Sequence, residues 1–225
     1  QDAGELRSAL GEFGVLVDVV LFSIGRTDTP PQLDGATAEL AALVLSAQAS
    51  KAFNERAEIL ATGLLDQAAS TLCVADHALF LDCRTLETRQ VPLAVTAAGL
   101  EILVIDTRTR HSHVDGEYAA RRASCEEACR LLGVPALRDV TDLDDALARL
   151  PEQTGRRVRH VVTENQRVLD AMTALAAGDY PGLGRLMTAS HASMRDDYEI
   201  TEASVDLAVE VALAEGALGA RMTGG

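Results

Sequence analysis

Hydrophobic and polar positions follow two different periods along the chain, and the changes of period divide it. Over residues 5–24 apolar side chains recur at Leu6, Leu10, Phe13, Leu16, Val17, Val20 and Leu21, the spacing of a helix with one broad buried face. Pro30, Pro31 and Gly35 break that pattern, and an Ala-, Leu- and Glu-rich stretch over 37–60 predicts a second helix. After Gly63 the period shortens. Residues 77–83 alternate and predict a strand, 90–94 a second, and the apolar run 100–107 a central third. From 117 the helical period returns. Helices are predicted over 117–132, stopped by Gly133 and Pro135, and over 140–150, acidic at its start with Arg149 near its end. A third covers 156–177, where Val158, Val161, Val162, Val168, Leu169, Met172 and Leu175 share helical spacing. Two more are expected over 182–195 and 202–215. The fold class is therefore α+β, a small group of strands followed by helices.

Composition narrows the partners. Acids outnumber bases 34 to 20, giving a formal charge of −14. That balance excludes nucleic acid or an anionic membrane as the main partner, because both need a basic footprint. An anionic small substrate stays open, since one local arginine can outweigh the global charge. Aromatics make up 3% and Trp is absent, which leaves no stacking platform for single strands. Cys73, Cys83, Cys125 and Cys129 form no CxxC pair. Cys125 and Cys129 stand one helical turn apart without a nearby histidine, and are expected to be reduced, half-buried thiols that bind no zinc. Asp2 and Glu5 stand where a leader's basic region would be, and the run 13–25 is broken by Asp18 and too short to span a bilayer. A cytoplasmic location is the expectation.

Three places carry candidate chemistry. Gly63-Leu-Leu-Asp-Gln67 sets Asp66 between a glycine and small residues, as an exposed acid at a helix start or as a plain N-cap. Asp106-Thr-Arg-Thr-Arg-His-Ser-His113 leaves the end of an apolar run, where site residues often gather, with Tyr118, Arg121 and Arg122 just beyond. His111 and His113 lack a third ligand at matching spacing, so a solvated basic patch is the simpler reading. Residues 186–198 crowd Ser190, His191 and Asp197 together, but without GxSxG no hydrolase triad is expected.

At these residues the chain resembles a known family. GLLDQAAST, HALFLDCRTLE, LVIDTRTRH with GEYAARRASCEEA, GVPALRD, LMTASHASMRDDYEIT and GALGARMTGG are similar to galactokinases. These belong with homoserine, mevalonate and phosphomevalonate kinases. The resemblance is strong from 63 to 225 and looser over 1–61. It implies a two-domain sugar-kinase fold with the active site in the interdomain cleft. Residues 1–110 would be part of the N-terminal domain, and 111–225 would lead, mostly helical, into the C-terminal one.

The resemblance also implies an activity. The γ-phosphoryl of ATP, with magnesium (Mg2+), would pass to the anomeric hydroxyl of galactose, in a monomeric cytoplasmic enzyme. Asp66 would act on that hydroxyl, Gly63 would let backbone approach the sugar, and Tyr118 would contact it. Gly219, Ala220, Arg221, Met222, Thr223, Gly224 and Gly225 match the start of the family's third motif, a glycine-rich loop that shapes the site. The family's opening motif GRVNLIGEHTDY and its phosphate loop PxxxGLSSSA have no counterpart here, and Leu45-Ser-Ala-Gln-Ala-Ser50 lacks the glycines such a loop needs. The chain is accordingly expected to be an incomplete piece, with no turnover of its own. Two rival readings stay open: a related protein that senses sugar or nucleotide without turnover, and a kinase of another sugar.

Overall fold

The computed structural model describes residues 21–22, 68–69, 72–82, 84–85, 87–108 and 114–223, side chains of 21–22 and 114–119 excepted. The chain divides into two compact units, 1–104 with 223–225, and 105–222.

The first unit holds a three-stranded antiparallel sheet in the order β1 (Leu21–Phe22), β2 (His77–Leu81), β3 (Thr88–Pro92). Leu79 lies opposite both Leu21 and Gln90, so β2 is the central strand. Its Ala78, Leu79, Phe80 and Leu81 are all buried, whereas β3 buries only Val91. The β2–β3 turn is built by Asp82, whose carboxylate accepts the Arg84 and Thr85 amides at 2.8 and 3.2 Å. On its outer side Arg89 lies over the Phe80 ring, 4.7 Å from its centre.

Two expectations are corrected here. The helix read over 5–24 does not reach its end, because Leu21 and Phe22 are strand. The run Val19-Val20-Leu21-Phe22 suits a buried strand as well as a helix face, and pairing with β2 decides between them. The run 100–107 is not a strand. It has no regular structure, and Leu103 and Ile105 are 65% and 50% exposed. Apolar, β-branched composition makes a strand only where a neighbour completes the backbone ladder, and none of the described residues does so. The helix expected over 37–60 lies outside the described residues.

The second unit is helical: α1 (Val114–Leu132), a 3-10 turn (Leu137–Asp139), α2 (Leu143–Ala148), α3 (Glu152–Ala176), α4 (Tyr180–Ser193) and α5 (Ala203–Ala214). These match the five predicted helices with ends shifted by a few residues. Asp142 caps α2 by accepting the Asp145 amide at 3.0 Å, and Asp179 caps α4 by accepting that of Gly182 at 2.8 Å. The core joins Ala128 of α1, Leu137 of the 3-10 turn and Val158 of α3, with Cys125, Cys129, Leu132, Val161 and Val162 packed around them. Burial pushes the Cys125 and Cys129 thiols up, away from the reactive thiolate range.

Candidate functional site

The α4 helix does not stop at Ser193. It widens into a π-helical turn, Met194–Tyr198, and ends at Glu199 in the left-handed region, φ 55°. A widened turn leaves carbonyl oxygens without the usual amide donors, so they need partners. Arginines supply them. Arg156 donates to the Asp196 carbonyl at 3.4 Å, Arg157 to that of Asp197 at 2.5 Å, and Arg121 to those of Tyr198 and Glu199. Arg157 also pairs with the Glu199 carboxylate, and Arg159 with that of Asp197 at 2.9 Å. The polar density of the MRDDYE stretch is thus a clamp that fixes how α4 ends.

Beneath that clamp runs a buried polar seam between α3 and α4. Along α3 the side chains of Arg157, His160, Glu164, Val168, Ala171 and Leu175 all face inward. Glu164 is 3% exposed. It accepts the Ser190 hydroxyl at 2.5 Å and the Arg167 guanidinium at 2.6 Å, and lies 3.5 Å from Arg221. Burial pushes the Glu164 carboxyl up, but the Ser190 hydroxyl, Arg221 and Arg167 outweigh it and hold it below its ordinary value. Burial lowers the Arg221 guanidinium against the pull of Glu164.

His160 belongs to the same seam. Ser193 donates its one hydroxyl proton to Asp197 at 3.1 Å, so it accepts from His160 Nδ1 at 2.9 Å. That assignment places the imidazole proton on Nδ1 and leaves Nε2 bare, with no partner among the described residues. The ring stacks on Tyr198, centroids 4.4 Å apart. Burial, the largest influence, lowers His160 to about 4, so the ring is neutral near pH 7.

The glycine-rich segment 216–223 lies on the α4 side of this seam. Gly184 and Gly219 touch backbone to backbone. A Cβ on Gly184 would meet the Leu218 carbonyl oxygen at 2.1 Å, and one on Gly219 would meet the Gly184 oxygen at the same distance. Thr188 Oγ1 donates to the Gly184 carbonyl and lies 3.5 Å from the Ala220 amide. His191 Nδ1 accepts the Met222 amide at 3.2 Å, and Arg221 lies against Glu164. Two glycines, a threonine, a histidine and a glutamate therefore fasten one short loop to two helices.

The residues singled out from sequence fall unevenly in this picture. Gly219, Ala220, Arg221, Met222 and Thr223 are seen, and four of them sit in or beside the fastening just described. Tyr118 stands early in α1. Gly63, Asp66, Gly224, Gly225, His111 and His113 lie outside the described residues. Ser190, His191 and Asp197 do not assemble: Ser190 serves Glu164, His191 the Met222 amide, and Asp197 the pair Ser193 and Arg159. His160, Glu164 and Arg157 were missed by the sequence reading. Their signal is positional, since they occupy the same helical stripe as Val168, Ala171 and Leu175.

Known proteins give this geometry its context. The family model described as GHMP kinases C terminal matches residues 171–225. The galactokinase of Streptomyces coelicolor is 54% identical over 167 residues, 72% of this chain and 43% of that protein. The chain is similar to the galactokinases of the GHMP kinase superfamily along most of its length. The Mycobacterium tuberculosis galactokinase is 44% identical over 223 residues, 98% of this chain and 59% of its own, so the likeness to galactokinases runs through 1–61 as well. A crystal structure of Lactococcus lactis galactokinase complexed with galactose superposes with a TM-score of 0.63 at 32% identity. It covers 72% of this chain and 43% of that one. The chain spans about half the length of the curated relatives it matches.

Proposed function

We propose that the whole gene product carrying these residues is a galactokinase, transferring the γ-phosphoryl of ATP to the anomeric hydroxyl of galactose to give galactose 1-phosphate. The observation that carries this reading is the 54% identity to a curated galactokinase over 167 residues, 72% of this chain. The galactose-complexed relative supports it.

Each residue has a part in that reading. Asp66 takes up, or electrostatically favours loss of, the sugar proton. Gly63 and Tyr118 help to seat the sugar. The loop from Gly219 to Gly225 shapes the site around the reacting groups. Phosphoryl transfer asks the protein mainly for positioning and charge, so a rigidly fastened loop suits the task. The donor is ATP with its magnesium. Among the described residues no three or more His, Cys, Asp or Glu gather to hold a metal. The described helices include none long and apolar enough to cross a membrane. Work as a cytoplasmic monomer is part of the same proposal.

The test is ADP release by the whole gene product, with and without galactose. Release should depend on galactose and fall by about 10²-fold or more in Asp66→Asn, the scale of acid–base or electrostatic help to a reacting proton. Unchanged turnover in Asp66→Asn would remove that residue from its role. No galactose-dependent release from the wild type would reject the function.

A further inference from the structure

His191 is buried on both of its nitrogens, and its two neighbours ask for different things. Met222 brings an N–H to Nδ1 at 3.2 Å. A backbone amide only donates, so Nδ1 must be bare and the ring proton must sit on Nε2. Nε2 stands 3.1 Å from Asp206 Oδ1 on α5. Water reaches neither of those two atoms, and among the described residues neither has a partner besides the other. The carboxylate is therefore the group that favours a proton on Nε2. Other charges face the ring from each side: Arg195 and Asp196 beyond the end of α4, Arg221 on the loop, and Glu164 of α3 through its bond to Ser190.

We propose that His191 and Asp206 are positioning residues for the glycine-rich loop. Asp206 fixes the ring as the Nε2–H tautomer, and bare Nδ1 then holds the Met222 amide and sets the course of 219–223. The proposal rests on the galactokinase reading and deepens it by naming what holds that loop in working shape. It carries a sensitivity to acid. A proton gained at Nδ1 turns the acceptor into a donor facing another donor, and the loop loses its fastening. Burial lowers His191, and Asp206 raises it in part. Removing Asp206 should therefore move any such release to lower pH.

The experiment has two arms. In the first, 15N-labelled histidine NMR on the wild type reads the tautomer directly and needs no variant. A bare Nδ1 with protonated Nε2 at His191 is expected, and a protonated Nδ1 overturns the proposal. Met222 amide exchange should rise about tenfold in His191→Leu, the scale of one lost hydrogen bond. It should stay near wild type in His191→Asn, which keeps an acceptor at the δ position. Equal protection in a folded His191→Leu also overturns it. In the second arm, the whole gene product is assayed for galactose phosphorylation across pH. Kcat should fall about tenfold in His191→Leu, recover in His191→Asn, and show an acid limb at lower pH in Asp206→Ala. An unmoved limb removes the pair from control of the loop. Absence of galactose turnover at every pH would sink the functional reading alone, while the first arm still decides the pair.

Discussion

The α3 helix meets two different surroundings along its length. Near its start Val158 packs with Ala128 and Leu137 in an apolar cluster that water does not enter. Two turns later Glu164 meets a serine, two arginines and, through them, the glycine-rich loop. The first is what a folding chain selects by burial alone. The second is costly. A buried carboxylate–guanidinium pair seldom stabilises more than well-packed apolar side chains of like volume would. Its presence under the loop implies that the loop's position, not net stability, is what the charges supply.

Breaking one partner of the seam should have the largest effect. Glu164→Gln leaves Arg221 without its counter-charge. Unfolding in urea should show a loss of about 3 kcal/mol, the low end of the range for a broken buried pair, since Arg221 keeps some exposure. Val158→Ala, the matched test of the apolar end, should cost about 2 kcal/mol, from two methyl groups and a partly collapsed cavity.

A pH series separates the two regions next. His160 has its ordinary value near 6.5 when unfolded and about 4 when folded. The unfolded chain binds the extra proton first, so this stabilisation is complete above 6.5 and is lost as pH falls toward 4. Between pH 7.5 and 5 the loss from His160 should be about 2 kcal/mol, with His191 adding in the same direction. His160→Gln should remove that part of the slope. Glu164, held low, contributes stability that is lost only at still lower pH, as it protonates. The smallest effect belongs to the surface: Arg122→Ala breaks an exposed pair with Glu126 and should change stability by under about 0.5 kcal/mol in the same urea assay.

Much of the helical unit was legible in the sequence. Gly133, Pro135 and Gly178 mark helix ends with residues that only stops favour. The apolar spacing of 156–177 located α3 but not its working face. Val161, Val162 and Leu169 share the apolar count, yet Leu169 is 47% exposed while Arg157, His160 and Glu164 are buried. Apolar periodicity cannot show a charge that is buried because its partner comes from another helix. The same limit hid the roles of Ser190 and His191, which crowd together in sequence without a hydrolase motif and in the structure each hold a neighbour, Glu164 and the Met222 amide. The run 100–107 failed for the opposite reason. Its residues suit a strand, but a strand exists only when another lies beside it. The glycine-rich loop was legible as a motif, and the pairing of Gly219 with Gly184 became visible only in three dimensions.

The most direct test of the seam's purpose is a double replacement, Glu164→Gln with Arg221→Met, in the whole gene product. It removes both charges, keeps volume, and leaves Ser190 an acceptor. Urea stability and galactose-dependent ADP release are measured on the same preparation. The account predicts a smaller loss of stability than in Glu164→Gln alone, because Arg221 goes with its counter-charge while Arg167 keeps only Thr163, and turnover lowered at least about tenfold, one decade of rate being about 1.4 kcal/mol of barrier. Stability and turnover both unchanged would show that the charges do not serve the loop's work, and would contradict the account.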